Sequence, residues 1–173
     1  MKKHVGSCSG QDKFALSYAD KGTWLEIGAY HPVYRSNTKL LEDNGWSGVS
    51  LEIDPKFEQM WKESGRDCTN YYTADALTFD YSSLENKHFT YLSLDIEPAL
   101  LTLKALEAIL EAGITFDCLT YEHDRQNEQV DGLKAQEKAF ELLTEAGYTR
   151  IYKDVNVMGE TNRPFEDWYE KND

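Results

Sequence analysis

Five short apolar runs in this chain each end on, or run into, an acidic residue. Glu26 and Gly28 close the first, Glu52 and Asp54 the second, and Asp75 follows the third. Asp95 and Glu97 close the fourth, and Glu122, His123 and Asp124 the fifth. A carboxylate held against apolar sequence is costly unless it is paired or bound to something, so these positions are candidates for a site rather than for solvated loops. Carboxylates can accept hydrogen bonds from hydroxyls, neutralise a cation, or remove a proton. Asp95 and Glu97 are two apart in an extended run and project to one face. His123, at the next strand's end, is expected to reach the same space, and either His123 or Glu97 would serve as the base; the plainer reading of His123 is a polar residue satisfied by its acidic neighbours. Asp95, Glu97, Glu122 and Asp124 could alternatively hold a hard divalent cation such as magnesium. His4, His31 and His88 stand alone, with His31 near the first turn.

The elements that must carry these residues alternate. Residues 24–28 read as a buried strand ending at a glycine. Ser36-Asn37-Thr38 offers caps for a helix that Asn44-Gly45 stops, and residues 49–53 form the second strand. Asp54-Pro55 opens a helix with Phe57, Met60 and Trp61 on one face and Gly65 as terminator. A third strand ends near residues 72–74, and residues 77–89 read as a loop or short helix. Residues 90–96 form a strand, 98–110 a helix with apolar surface from Leu101 to Leu110, 116–121 a strand, and 132–146 an amphipathic helix. Residues 148–157 form one strand, or two joined by a turn. Trp46, Trp61 and the Leu101–Leu110 set are assigned to the core. For the aromatic tail, Phe165, Trp168 and Tyr169, three placements are open: against the sheet edge, over the acceptor pocket, or in a homodimer contact.

Strand alternating with helix predicts one α/β domain with a doubly wound, mostly parallel sheet, helices on both faces and an antiparallel C-terminal strand. Ligands of such folds bind beyond the carboxyl ends of the strands, where the acidic residues lie. The first turn limits the ligand. A dinucleotide fingerprint needs glycines where this chain has Tyr30 and Val33, and no phosphate-binding GKS or GKT is present. A ligand without phosphates fits better. Gly28 allows close approach to the backbone, Glu26 attracts positive charge, and Glu52 accepts from two ribose hydroxyls. S-adenosylmethionine, with its sulfonium and ammonium, answers that description.

Composition agrees. The 173 residues carry 31 acidic and 18 basic side chains, a formal charge of −13. That charge disfavours nucleic acid and anionic membrane as partners. The three cysteines, Cys8, Cys68 and Cys118, are far apart and suggest neither disulfides nor a zinc site. The N-terminus has no apolar stretch of a secretion signal, and a cytoplasmic protein is expected.

Taken in order, Gly10-Gln11-Asp12-Lys13-Phe14, Leu25-Glu26-Ile27-Gly28-Ala29, Ser36-Asn37-Thr38, Gly45-Trp46-Ser47-Gly48 and Leu51-Glu52 resemble the FkbM-type class I methyltransferases. Leu94-Asp95-Ile96-Glu97 is similar to that family's fourth strand and Tyr121-Glu122-His123 to its fifth, so the likeness spans about residues 9–125. Pro98 departs from the family's glycine after Asp-x-Glu. The resemblance implies methyl transfer from S-adenosylmethionine to a hydroxyl of a small-molecule or glycan acceptor. It implies that Glu26, Gly28, Ala29 and Tyr30 line the methionine part of the donor, with Asn37 nearby. Glu52 would bind the ribose, Ile53 pack on the adenine, and Asp75 and Ala76 meet its edge. Asp95 would lie by the donor and Glu97 towards the acceptor. The rival expectations are an NAD- or nucleotide-binding enzyme of related fold, and a donor-binding domain that has lost catalysis.

Overall fold

The computed structural model describes residues 6–127 and 129–173; His4 lies outside them. The elements run α1 (Gln11–Leu16), β1 (Thr23–Ile27), α2 (Lys39–Asp43), β2 (Ser47–Glu52), α3 (Lys56–Glu63), β3 (Tyr71–Thr73), a 3-10 turn at Tyr81–Ser83, β4 (His88–Leu94), α4 (Ala99–Glu111), β5 (Thr115–Glu122), α5 (Gln129–Glu145), β6 (Tyr148–Asn156) and β7 (Pro164–Lys171). The strands form one sheet in the order β3-β2-β1-β4-β5-β7-β6. β1 to β5 pair in parallel, whereas β7 runs antiparallel to both β5 and β6. The order reverses between β1 and β4, which opens a crevice at the carboxyl ends of these strands.

Alternation along each central strand sends one set of side chains to each face. On one face Trp24, Tyr91 and Cys118 pack with Phe14 and Ala15 of α1, Leu41 of α2 and Trp46. On the other, Leu25, Ile27, Leu92, Leu94, Leu119 and Tyr121 pack with Ala105, Leu106 and Ile109 of α4 and Ala139 and Leu143 of α5. Both faces are apolar, which is why these strands read as continuous hydrophobic runs.

The cap of α2 comes from the expected Ser36-Asn37-Thr38 segment, through Ser36, whose Oγ accepts from the backbone N–H groups of Thr38 and Lys39. Several local expectations need correction. On α3, Phe57 and Trp61 are buried while Met60 faces solvent. On α4 the fully buried positions are Ala99, Thr102, Ala105, Leu106 and Ile109, so Leu101 and Leu103 lie at the margin of the core rather than in it. The aromatic tail is part of the sheet itself, with Phe165 on the cleft lining. It is β7, an interior strand, with Phe165 and Tyr169 buried and Trp168 stacked on Phe14 at 4.7 Å between ring centroids. Among the described residues no helix is long and apolar enough to cross a membrane, and all three cysteines are free.

Candidate functional site

At the carboxyl ends of β1, β2 and β4 lies a cleft of about 650 Å³. Its lining includes Glu26, Gly28, Ala29, Tyr30, Asn37, Glu52, Ile53, Asp75, Ala76, Asp95 and Glu97, so eleven residues singled out from sequence meet in one place. Gly28 is at its centre. It holds a positive φ of 86°, and a Cβ there would overlap the backbone carbonyl oxygen of Asp95. Only glycine fits where β1 and β4 converge at this turn. The turn is held by Gly28 and Ala29 N–H groups that donate to the Leu51 carbonyl, at 3.0 and 2.9 Å.

Two carboxylates flank the turn, each anchored differently. Glu52 accepts from the Tyr30 N–H at 2.7 Å through Oε2 and from the Asp54 N–H at 2.9 Å through Oε1. Each oxygen keeps a further lone pair for a ligand hydroxyl. Glu26 is buried, and its Oε2 accepts from Thr38 Oγ1 at 2.9 Å and Ser50 Oγ at 2.7 Å. Burial pushes its carboxyl up to about 7, against the opposing pull of Arg66 and these hydroxyls. Ile53 and Tyr30 stand open on the cleft wall, 63% and 48% exposed. Asn37 is buried and donates to Ser93 Oγ at 3.0 Å. Asp75 accepts from the Leu77 N–H, while Glu97, followed by a cis peptide to Pro98, sits at the exposed rim.

Sequence reasoning overlooked Arg66. Its buried guanidinium lies 4.2 Å from the Trp61 ring centroid and reaches Glu42, the Pro32 carbonyl, Ser36 Oγ and Thr38 Oγ1. Through Thr38 it fixes Glu26. Nothing in the local sequence marks this role, because every hydrogen-bond partner of the guanidinium is at least 24 residues away. Gln11 was also missed as a cleft group, and with it its buried partner Glu166. Gln11 lines the cleft and donates to Glu166 at 3.2 Å, and burial raises Glu166 to about 8.

The structure does not bring His123 to the cleft. Glu122 continues the face of Cys118 and Thr120 and lines it, whereas His123 turns to the α5 side and is wholly buried. Its Nε2 lies 3.6 Å from Asp167 and 3.8 Å from Asp154, and its Nδ1 accepts from the Arg125 N–H. Arg125 pairs with Asp154 at 2.6 Å, Arg150 with Asp167 at 3.0 Å, and Gln136 donates to both. Burial works against the Asp167 charge, yet His123, the Asp154 N–H and Gln136 hold its carboxyl below the usual range. His123 thus lies beside a buried ion-pair network of Arg125, Asp154, Arg150 and Asp167, its Nε2 within 4 Å of both acids and without a hydrogen-bond partner.

The four carboxylates considered for magnesium do not converge. Among the described residues, the group whose donor atoms all lie within 4.8 Å of one another is His123, Asp154 and Asp167, whose oxygens arginines and an amide already occupy. Asp124 instead accepts from Gln126 and Asn127 at 2.9 and 2.7 Å, and Glu122 accepts from the Gln126 amide at 3.5 Å, with burial and the Asp95 charge holding its carboxyl well above the usual range.

Solved structures share this architecture. The N-methyltransferase NodS from Bradyrhizobium japonicum superimposes with a TM-score of 0.63 at 13% identity, covering 94% of this chain and 93% of that one. An rRNA methylase from Streptococcus thermophilus matches with a TM-score of 0.57 at 16% identity over 95% of both chains. The glycopeptide N-methyltransferase MtfA, solved with sinefungin, gives 0.59 at 15% identity, covering 96% of this chain and 86% of its own. The chain thus has the Rossmann-like fold of the class I methyltransferases. No family model matches it, and a search of curated proteins finds no relative.

Proposed function

We propose that this chain is an S-adenosylmethionine-dependent methyltransferase acting on a hydroxyl of a sugar or small natural-product acceptor. One observation carries the donor: the glycine turn at Gly28 is flanked by two anchored carboxyl groups, Glu26 and Glu52, and not by phosphate-binding glycines. The Tyr30 N–H, which a pyrophosphate would need, is spent on Glu52. The residues present fit a cationic nucleoside, since Glu122 lines the cleft and its Oε2 is buried with no donor facing it among the described residues. NodS and MtfA have been solved with S-adenosylhomocysteine and sinefungin respectively.

S-adenosylmethionine, when bound, supplies a methyl group made electrophilic by its sulfonium. Displacement at that carbon is in line, so the protein's main task is positioning. Glu52 is placed to hold the ribose hydroxyls, the open Ile53 side chain to cover the adenine, and Asp75 with Ala76 to meet its edge. Glu26, Ala29, Tyr30 and Asn37 line the methionine side. A neutral hydroxyl needs its proton removed as it attacks. Glu97, at the rim, takes that role, and Asp95 orders the space between acceptor and donor. The hydroxyl acceptor rests on this carboxylate and on the FkbM-type likeness. The acceptor is a small molecule or glycan rather than nucleic acid, because the charge of −13 opposes a phosphate backbone.

Calorimetric titration with S-adenosylhomocysteine, NAD and ATP in parallel tests the reading. Binding of S-adenosylhomocysteine alone is expected; binding of NAD alone overturns it. Donor binding without turnover on any hydroxyl acceptor would instead identify a donor-binding domain that has lost catalysis.

A further inference from the structure

Away from the Gly28 turn the cleft wall changes in chemistry. Gln126 and Asn127, from the loop after β5, and Arg163, from the turn between β6 and β7, line it there. The same three side chains line a second cavity of about 460 Å³, completed by Arg125, Asn162 and Pro164. Among the described residues that lining holds two arginines, three amides and no carboxylate, in a chain with 31 acidic side chains and 18 basic. Three acids that touch it are engaged: Asp154 accepts from Arg125 and Gln136, Asp124 from Gln126 and Asn127, and Glu160 from Arg163. A fourth, Glu122, is reached by Gln126 at 3.5 Å, and burial favours its neutral form.

Two polar atoms of this lining are buried without a partner among the described residues: Arg125 Nε, a donor, and Gln126 Oε1, an acceptor. Such orphans are few in folded proteins, and each is a place for a water or a ligand atom. Arg125 is fixed in place, its Nη1 tied to Asp154 at 2.6 Å and to Gln136 at 3.0 Å. Arg163 is held by its backbone N–H, which donates to Asn156 at 2.7 Å, while its half-exposed guanidinium is paired with Glu160. An exposed pair of that kind contributes little, so Arg163 can take another anion at small cost. α5 begins at Gln129, two residues past Asn127, which sets the positive end of its dipole beside the same lining.

We propose that this cavity is an anion subsite for the acceptor, and that the acceptor is a hydroxylated small molecule bearing one carboxylate or phosphate group. Its anionic oxygens meet Arg163 and Arg125 Nε, and a neighbouring hydroxyl of the same molecule donates to Gln126 Oε1. Glu97 lines the cleft together with Arg163, so the anion anchors one end of the acceptor while the reacting hydroxyl lies on the Glu97 side. The proposal rests on reading the cleft as a methyl-donor site. The overall charge of −13 still opposes a polyanion, whereas a single anionic group is what two arginines can balance.

Two-dimensional NMR of the chain saturated with S-adenosylhomocysteine, titrated with inorganic phosphate, D-glycerate and glycerol, tests it. At least one of the two anions is expected to shift the side-chain amide signals of Gln126 and Asn127, and glycerol to leave them in place. A shift with phosphate alone supports a phosphorylated acceptor, one with glycerate alone a hydroxy acid, and shifts with both support the subsite for either group. Arg163→Gln, at an exposed position, should keep the melting temperature and weaken anion binding about tenfold, as for a lost hydrogen bond to a charged group. Arg163→Lys should recover part of that loss. No shift with either anion, an equal shift with glycerol, or full anion affinity in Arg163→Gln overturns the proposal. If S-adenosylhomocysteine binds and the anions do not, this inference falls alone; if S-adenosylhomocysteine itself fails to bind, the donor reading falls and this inference with it.

Discussion

Gly28 and Asp95 press backbone against backbone, so Gly28→Ala tests the centre of the cleft. The positive φ and the overlap with the Asp95 carbonyl both act against it. Together they should cost about 3 kcal/mol, read as a shift of the urea midpoint, and abolish S-adenosylhomocysteine binding. Glu52→Ala removes the acceptor for two backbone N–H groups, and calorimetry should show at least roughly tenfold weaker binding of the same ligand. His123→Gln should behave oppositely. It disturbs the buried network with Asp154 and Asp167, lowering stability by about 2 kcal/mol with binding of S-adenosylhomocysteine unchanged. Glu122 and His123 show where sequence reasoning stops. They are neighbours in the chain, yet one faces the cleft and the other α5. Alternation carried one residue past the strand sets the two on opposite faces, and what the residue types do not say is which of those faces meets the cleft.

The elements were readable in proportion to how locally they are determined. β1, β2, β4 and β5 declare themselves because both their faces are buried, and Gly28 announces a turn because no other residue fits it. β7 was obscured by its charges. Glu166 and Asp167 read as acidic tail, although Phe165, Asp167 and Tyr169 fall on one side and Glu166 and Trp168 on the other, as an interior strand requires. The tail is therefore not removable. A chain ending at Asn162 loses the strand that pairs with both β5 and β6, and circular dichroism should show no cooperative melt. Arg66 binds elements together that no sequence window contains. Arg66→Met leaves Glu42 and Glu26 without their cation and should destabilise by about 3 kcal/mol on chemical denaturation. Arg66→Lys should rescue little, since one ammonium cannot reach four separate acceptors.

For the molecule as a whole, the charge of −13 and the buried carboxyls act in the same direction. Burial raises Glu26 to about 7 and Glu166 to about 8. In the unfolded chain both would lose their protons near the ordinary glutamate value of about 4.3. The native state then binds more protons between these limits, so stability falls as pH rises through the window. The melting temperature at constant ionic strength should accordingly increase from about pH 8 down to about pH 5. Further acidification through the ordinary carboxylate range would begin to cost the Asp167 network, whose carboxylate is held ionised.

The position of β7 also bears on how the chain reaches this state. Until β7 inserts, β5 has an unpaired edge of apolar residues, Cys118, Leu119 and Tyr121. The pairing that covers it joins Thr120 to Trp168, a contact distant in sequence and slow to form. β6 and β7 can pair first as a hairpin and dock as a unit. A refolding chain whose hairpin is weakened would therefore linger with a bare strand edge, and its loss would be to aggregation rather than to lowered equilibrium stability.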